Sequence, residues 1–366
     1  MATLDLAMPI ALLAVTITAL FLNKRVEGRL KTTFEERELR TRDIVLLVVV
    51  ITVAISVIAY LAFLDLGQNF QNIMLIVFMF SYSMLLFMFS YIFSNMQRKR
   101  AELFSLGFVV VGLIAGTVSL TGPFADGLLF YRALAFYGLA AFAFSSLIID
   151  AKKADVKERW YIAVQPPALF VLIFVFFNLF YEGPPVWYPV LLDIFALTFA
   201  VLIILYLGSL FNWKIVFVFA VLFTIMDIIL VLGTGSMEQA AGVFRGLRLP
   251  VLVELPNVPL VITSEGIGFR GLGLGDFFFA GILALQTFKK FDKKTALLSI
   301  VAMATSFAIW EAFLPEIARG LEPLLHRQIG GFPGTLMIIC GWLPVVAWKM
   351  FAERKAKTAM VQERLN

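Results

Sequence analysis

Apolar runs long enough to cross a lipid bilayer recur along almost the whole chain, and this feature restricts the possible fold more than any other. A helix needs about 17 to 25 apolar residues to cross roughly 30 Å of hydrocarbon. The chain is 61% hydrophobic and 15% charged, with a mean hydropathy of +0.93, outside the range of water-soluble domains. We therefore predict an all-α, polytopic transmembrane helix bundle in a lipid bilayer.

Eleven segments are predicted to be membrane spans. They lie near residues 6–22, 44–64, 70–94, 103–121, 129–150, 160–181, 186–209, 213–233, 272–288, 295–315 and 333–350. The short alternating segments of a membrane β-barrel do not occur in the sequence. Lys24 and Arg25 follow the first span directly, which favours a retained helix over a cleaved signal peptide. An interfacial helix is the alternative for this first span.

The basic residues predict the orientation of the chain, because cytoplasmic loops are enriched in Lys and Arg. Most of the 30 Lys and Arg residues fall in alternate loops on one side of the predicted bundle. The opposite side holds Arg132, Arg245, Arg248, Arg270, Arg319 and Arg327. The N-terminus is therefore expected outside and the C-terminus in the cytoplasm. The same clustering explains the net charge of +5 without a nucleic-acid partner.

Ionisable groups inside predicted spans are the strongest functional signal, because each costs at least a few kcal/mol in lipid. Asp227 lies about six residues from the outer end of its span and Asp276 about four residues inside the next, which places both carboxylates about 6 to 9 Å below the outer surface. The two side chains could therefore meet. Asp193 and Glu311 lie at comparable depth, and we expect them to be solvated near helix ends.

The glycines before Asp276 distinguish this acid from the others. Gly273 and Gly275 would let the backbone bend or approach a substrate chain closely. Two carboxyl groups a few ångströms apart share one proton, as in aspartic proteases. One carboxylate can take a proton from water while its protonated partner donates to the scissile carbonyl oxygen. The pair predicts peptide hydrolysis, with no metal and no cofactor.

The sequence resembles a known family at these positions. Gly273, Leu274, Gly275 and Asp276 match the GxGD signature of presenilins and signal peptide peptidases, and Asp227 occupies the position of the family's first catalytic aspartate. The resemblance implies an intramembrane aspartyl protease with Asp227 and Asp276 as catalytic residues. It also implies that the first three residues of the motif border the substrate.

The resemblance is most specific over residues 213–345 and extends back to about residue 70. Archaeal presenilin homologues are the most similar branch, which implies a nine-helix core with about two additional N-terminal helices. Four parts are then expected: residues 1–69 as an N-terminal extension with a basic cytoplasmic loop, 70–209 as the first part of the core, 210–350 as the catalytic part and 351–366 as a basic cytoplasmic tail.

The sequence departs from the family pattern at two places. Met226 stands where the family usually has tyrosine, and Pro333, Gly334 and Thr335 stand in place of the Pro-Ala-Leu signature. In the family this signature lies against the active site and shapes substrate access, so the three residues are expected to contact substrate. The alternative is a loop that simply enters the last helix.

The stretch from Leu249 to Thr263 is apolar and β-branched but too short and proline-rich to cross the membrane. It is predicted to form a strand, a re-entrant loop or a surface flap. The resemblance implies that this region pairs with an unwound substrate segment, which exposes the peptide bond to water.

The expected partners are the lipid bilayer and transmembrane peptides or proteins, either in type II orientation or as signal peptide remnants. The membrane is expected to be that of a prokaryotic, archaeal cell, and the sequence carries no signal for an oligomeric state. Two other functions are open. One is a proton- or cation-coupled transporter that uses intramembrane carboxylates. The other is an inactive family member that acts as a chaperone or scaffold for membrane helices. HExxH and GxSxG motifs do not occur, the sole histidine, His326, is expected in an outer loop, and Cys340 is the only cysteine.

Overall fold

The computed structural model describes residues 5–33, 39–64, 67–94, 97–124, 129–152, 159–263, 266–325 and 330–365. The helices are α1 (Ala7–Thr33), α2 (Thr41–Phe63), α3 (Gly67–Ser94), α4 (Arg98–Thr121), α5 (Leu129–Lys152), α6 (Trp160–Ala163), α7 (Gln165–Phe174), α8 (Leu192–Leu210), α9 (Trp213–Ile228), α10 (Ser236–Gly246), α11 (Leu274–Lys290), α12 (Lys293–Leu325) and α13 (Gly334–Leu365). Short π-helical segments occupy Val175–Leu179, Trp187–Leu191 and Ile229–Thr234. The strands are β1 (Leu252–Pro256), β2 (Ile262–Thr263), β3 (Gly266–Ile267) and β4 (Phe269–Gly273). The predicted all-α architecture is confirmed.

The predicted spans coincide with helices. Within the described residues, nine helices are long and apolar enough to cross a membrane. Of the two other predicted spans, one lies in the shorter apolar helix Ala7–Asn23 of α1, and the other coincides with the 17-residue helix α11. Large apolar side chains are exposed along the helices, for example Leu46 and Val50 of α2 at 61% and 55%. The chain is therefore a multi-pass membrane protein whose helices present apolar surface to lipid.

The chain divides into two compact units. One comprises Gln68–Phe195 and Leu247–Leu249, and the other comprises Met1–Gly67, Ala196–Gly246 and Pro250–Asn366. The helices α3 to α7 belong to the first unit, whereas α9 to α13 and all four strands belong to the second.

Small residues bring α4 and α5 together in the first unit. Gly112 and Gly116 lie one turn apart on α4, and a Cβ at Gly112 would be 3.0 Å from the carbonyl oxygen of Phe136 on α5. Close approach of this kind replaces the hydrophobic driving force, which is missing between helices in lipid. Gln165 of α7 adds a polar contact, because its amide nitrogen donates to the hydroxyls of Ser105 and Ser146 at 3.2 Å each.

In the second unit α9 ends with a turn that glycine favours. Asn212 caps its start by accepting a 3.0 Å hydrogen bond from the Ile215 amide. After Ile228 the helix continues as a π-helical segment to Thr234 and stops at Gly235, whose φ is 72°. Glycine adopts this left-handed conformation without a steric cost. The chain can then turn into α10.

The stretch from Leu249 to Thr263 contains strands, so the first of its three predicted structures is the one that forms. Its main strand, β1, pairs with β4 in antiparallel register, with Leu252 opposite Gly273. The buried Glu254 of β1 forms an ion pair with Arg245 of α10. Because β4 runs directly into α11, this two-stranded sheet ends at the Gly-Leu-Gly-Asp sequence.

The described N-terminal residues form hydrogen bonds with the loop that follows β1. The Leu6 amide donates to the carbonyl oxygen of Val258 at 2.9 Å. In return, the Val258 amide donates to Asp5 Oδ1 at 2.9 Å, and the same oxygen caps α1 through the Ala7 amide. From there α1 packs against α11 and α12, while α2 packs against α9 and α10. The N-terminal helices therefore border the helices that carry the two predicted catalytic acids.

Candidate active site

The two predicted catalytic acids lie at helix ends that face one another. Asp227 is on the last turn of α9 and is 4% exposed. Asp276 is in the first turn of α11, three residues after the N-cap Gly273, and it is only partly buried. The two carboxyl groups are close enough to interact electrostatically. Acids from two separate helices therefore form one site.

The start of α13 contacts both acids through consecutive residues. The amide and the hydroxyl of Thr335 both donate to Asp227 Oδ2, at 3.1 and 2.7 Å. Gly334 lies against Asp276, because a Cβ at position 334 would be 2.6 Å from the carboxyl carbon and 2.9 Å from Oδ2. The backbone amides at a helix N-terminus favour anionic groups, and α13 begins at Gly334 directly after Pro333. The Pro-Gly-Thr sequence does enter a helix, and that entry also borders the candidate dyad.

Aromatic rings hold α9 and α11 together beside the acids. Phe223 of α9 stacks on Phe279 of α11 with ring centroids 5.7 Å apart, and Phe219 meets Phe278 edge to face at 5.6 Å. Met226, next to Asp227, is 5% exposed. The walls near Asp227 are therefore apolar and closely packed, which limits reorientation of its carboxyl group.

The residues of the Gly-Leu-Gly segment have different environments. Gly273 is the last residue of β4, opposite Leu252 of β1. The Leu274 amide donates to the carbonyl oxygen of Val251 at 2.9 Å, and the Leu274 side chain is buried. Gly275 is partly exposed, and a Cβ there would meet the Phe223 ring at 3.8 Å. The backbone of this segment therefore connects the sheet to the acid-bearing helix.

The expectation that Asp193 and Glu311 are solvated is wrong. Each is 7% exposed. Glu311 of α12 faces a packed interior, where its Oε1 is 3.7 Å from Nε of Arg270, and the same Nε is 3.7 Å from Asp5 Oδ2. Depth along a helix does not specify which way a side chain points, so hydropathy alone missed this burial. Glu311 belongs to a charged cluster with Arg270 and Asp5.

Metal ligands do not cluster in the part of the chain that the structure covers. No group of three or more His, Cys, Asp and Glu side chains that could hold a metal ion occurs among the described residues. Cys340 of α13 is exposed and free. His326 lies outside the described residues.

The sequence missed the hydroxyl contact between Thr335 and Asp227. The signal that could have indicated it is a hydroxyl side chain in the first turn of a helix, a position at which threonine binds polar neighbours. Its partner is 108 positions away in the chain, so local patterns do not reveal it.

The fold and the site define a multi-pass α-helical membrane protein with two interacting acids at the junction of three helices. No protein-family model, no curated protein and no solved structure matches this chain. The similarity to GxGD proteases therefore depends on the motif residues themselves.

Proposed function

We propose that this protein is an intramembrane aspartyl protease that hydrolyses peptide bonds in transmembrane segments, with Asp227 and Asp276 as its catalytic residues. One observation carries the proposal: two acids from separate helices meet at the consecutive residues Gly334 and Thr335. An ion pair or a hydrogen-bonded salt bridge would be the usual reason to keep an acid in a membrane helix. Here the two acids lie close enough to interact electrostatically with each other.

The arrangement supports hydrolysis by acid and base catalysis. A water molecule between the carboxyl groups would lose a proton to the ionised acid while its oxygen forms a bond to the scissile carbonyl carbon. The protonated acid would give its proton to the carbonyl oxygen, producing a tetrahedral intermediate. The C–N bond then breaks as the amine nitrogen receives a proton, and both acids return to their starting forms.

The β1–β4 sheet supports the substrate class. A helical peptide bond is sterically shielded, so a transmembrane substrate must be extended before water can attack it. An extended peptide can add to the open edge of a sheet through main-chain hydrogen bonds. Because β4 leads directly into α11, such a peptide would lie beside a sheet that ends three residues before Asp276.

The proposed substrates are transmembrane segments in type II orientation or signal peptide remnants in a prokaryotic membrane. The charge pattern supports this orientation, because basic residues favour a cytoplasmic C-terminus, and the segment between α9 and α11 would then lie outside.

The direct test compares four reconstituted proteins with a type II transmembrane peptide, using mass spectrometry to detect products. The proteins are the wild type, Asp227→Asn, Asp276→Asn and the control Asp193→Asn. The control removes a buried acid of α8 that is not part of the pair. We expect wild type and control to cut within the apolar segment and both dyad variants to be inactive.

Two other results would contradict the proposal. Cleavage that survives both dyad substitutions would show that other residues catalyse it. Lack of product with the wild type across several transmembrane peptides, together with carboxylate-dependent ion flux in proteoliposomes, would favour a transporter instead.

A further inference from the structure

The two acids have unequal hydrogen-bond environments. Asp227 Oδ2 accepts two hydrogen bonds from Thr335, one from the amide and one from the hydroxyl. An oxygen that accepts two donors at 3.1 and 2.7 Å is best stabilised when it carries no proton. The residue of α13 that contacts Asp276 is Gly334, which has no side chain that could donate a hydrogen bond. A backbone donor near Asp276 is the amide of Gly273.

Exposure differs between the acids in the opposite sense, because burial by itself disfavours an ionised carboxyl group. Asp227 is 4% exposed and Asp276 is partly exposed. Charge-assisted hydrogen bonds are about twice as strong as neutral ones, so the two donors from Thr335 offset the cost of burial and favour the ionised form of Asp227. Asp276, which lacks a comparable side-chain donor from α13, is the better site for the shared proton.

We infer that Thr335 is a positioning residue that gives the two acids different roles. Asp227 acts as the general base and Asp276 as the general acid. This inference depends on the proposed protease function and specifies it further. Asp227 receives the proton of the attacking water on its other oxygen, Oδ1. Asp276 gives its proton to the scissile carbonyl oxygen, so the two carboxyl groups exchange protonation states in the first step.

The Thr335 hydroxyl is a departure from the Pro-Ala-Leu signature. In the Pro-Ala-Leu signature that residues 333 to 335 resemble, the third residue is leucine, whose side chain cannot donate a hydrogen bond. Thr335 keeps the backbone amide of that position and adds a second donor to the same oxygen. Its side chain is fully surrounded, with 1% exposure, so the hydroxyl is not shared with solvent.

The test uses a pair of substitutions that separates the hydroxyl from the shape of the side chain. Thr335→Val removes the hydroxyl and keeps the volume, whereas Thr335→Ser keeps the hydroxyl and removes a methyl group. Both are measured beside wild type and Asp227→Asn with one transmembrane peptide. We expect Thr335→Val to lower kcat about 10- to 100-fold with little change in KM, because the lost bond acts on the base and not on peptide binding. Thr335→Ser is expected to remain within about threefold of wild type.

The pH profile of kcat provides a second readout that a purely structural role would not change. Its acidic limb reports the base, and Asp276 is the titratable group that interacts with Asp227. The limb is expected to move in Thr335→Val and to stay in place in Thr335→Ser.

The possible outcomes separate the inference from the proposed function. If wild type cleaves, Asp227→Asn does not and Thr335→Val matches wild type in kcat and pH profile, the inference is wrong while the protease function stands. Equal losses in the valine and serine variants would also overturn it, because the hydroxyl would not be the determinant. A wild type that cuts no peptide overturns both.

Discussion

Gly334 lies directly against the carboxyl group of Asp276, so closely that a methyl group at position 334 would come within 2.6 Å of the carboxyl carbon. The contact joins the start of α13 to the first turn of α11. It allows the backbone of one helix to approach an acid on another without an intervening side chain.

Replacing Gly334 with alanine is expected to displace Asp276 and reduce cleavage. Overpacking at a tight contact costs about 1 to 3 kcal/mol, which corresponds to roughly a 5- to 150-fold loss if it falls on the catalytic geometry. Gly331→Ala is the matched control, since a Cβ at Gly331 meets nothing within 4 Å. Cleavage rates of the two variants provide the comparison. Because alanine occupies this position in Pro-Ala-Leu, full activity of Gly334→Ala would mean that Asp276 can move aside.

The outer edge of β1 can be tested as a docking edge for substrate. The Leu274 amide donates to Val251 and the Asn257 amide donates to Gly268. Because hydrogen-bonded pairs alternate in an antiparallel ladder, the amide of Val253 faces β4 and that of Leu252 faces away.

Leu252→Pro should therefore remove an outer-edge donor while the ladder stays intact, and we expect cleavage to fall about tenfold, the loss of roughly one hydrogen bond. Val253→Pro should instead break the ladder and lower the unfolding temperature as well. Cleavage and thermal unfolding are measured on both variants. If Leu252→Pro cleaves at the wild-type rate, the outer edge of β1 is not the docking edge for substrate. The outer edge of β4 is then the remaining candidate in this sheet.

Asp292 stabilises the turn between α11 and α12 in a pH-dependent way. It accepts hydrogen bonds from the Thr295 amide at 2.7 Å and from Lys349 at 3.0 Å. The bond from Thr295, followed by that from Lys349, lowers the pKa of Asp292 from 3.8 to about 2. A lowered pKa means that the ionised side chain stabilises the fold above pH 3.8 and that this contribution is lost as the pH falls through about 2.

Asp292→Ala is expected to lower the free energy of unfolding by about 1 kcal/mol at neutral pH, because it removes the N-cap of α12. Asp292→Asn keeps the capping oxygen and removes the charge, so it should destabilise less. Thermal unfolding at neutral pH and near pH 2 is the measurement. A gap between wild type and Asp292→Asn that persists near pH 2 would disagree with the assigned ionisation.

Arg270 is expected to stabilise the fold by pairing with the two buried acids beside it. Its Nε is 3.7 Å from both Asp5 Oδ2 and Glu311 Oε1, and the two acids are 5% and 7% exposed. Arg270→Gln would leave two buried carboxyl groups without a cation and should lower stability by about 1 to 3 kcal/mol. Adding Glu311→Gln should restore part of that loss, which a double-mutant cycle of unfolding midpoints would measure. Additive effects of the two substitutions would show that the groups do not interact.

The proposed orientation can be tested with single cysteines. In a Cys340→Ser background, Leu260→Cys and Lys355→Cys each introduce an exposed thiol. A membrane-impermeant maleimide is expected to label Leu260→Cys in intact cells and Lys355→Cys only after permeabilisation, because basic segments remain cytoplasmic. The reverse pattern would reverse the proposed orientation and favour type I substrates.

Hydropathy located the membrane helices correctly because the requirement it measures is local. In lipid a backbone must satisfy its own hydrogen bonds, so a long apolar run becomes a helix wherever it packs. The short stretch around Leu252 was harder to assign. Its strand exists because β4, far along the chain, pairs with it, and three structures were therefore open from sequence.

The sequence by itself determined that this chain is a helical membrane protein, and it indicated Asp227 and Asp276 as candidate site residues, because acids are costly in apolar helices and glycines precede Asp276. Only the tertiary structure decided which groups those acids meet. The bond from Thr335 to Asp227 and the burial of Glu311 beside Arg270 depend on how helices rotate and pack against one another. That packing is set by contacts between residues distant in the chain, which neither hydropathy nor local spacing encodes.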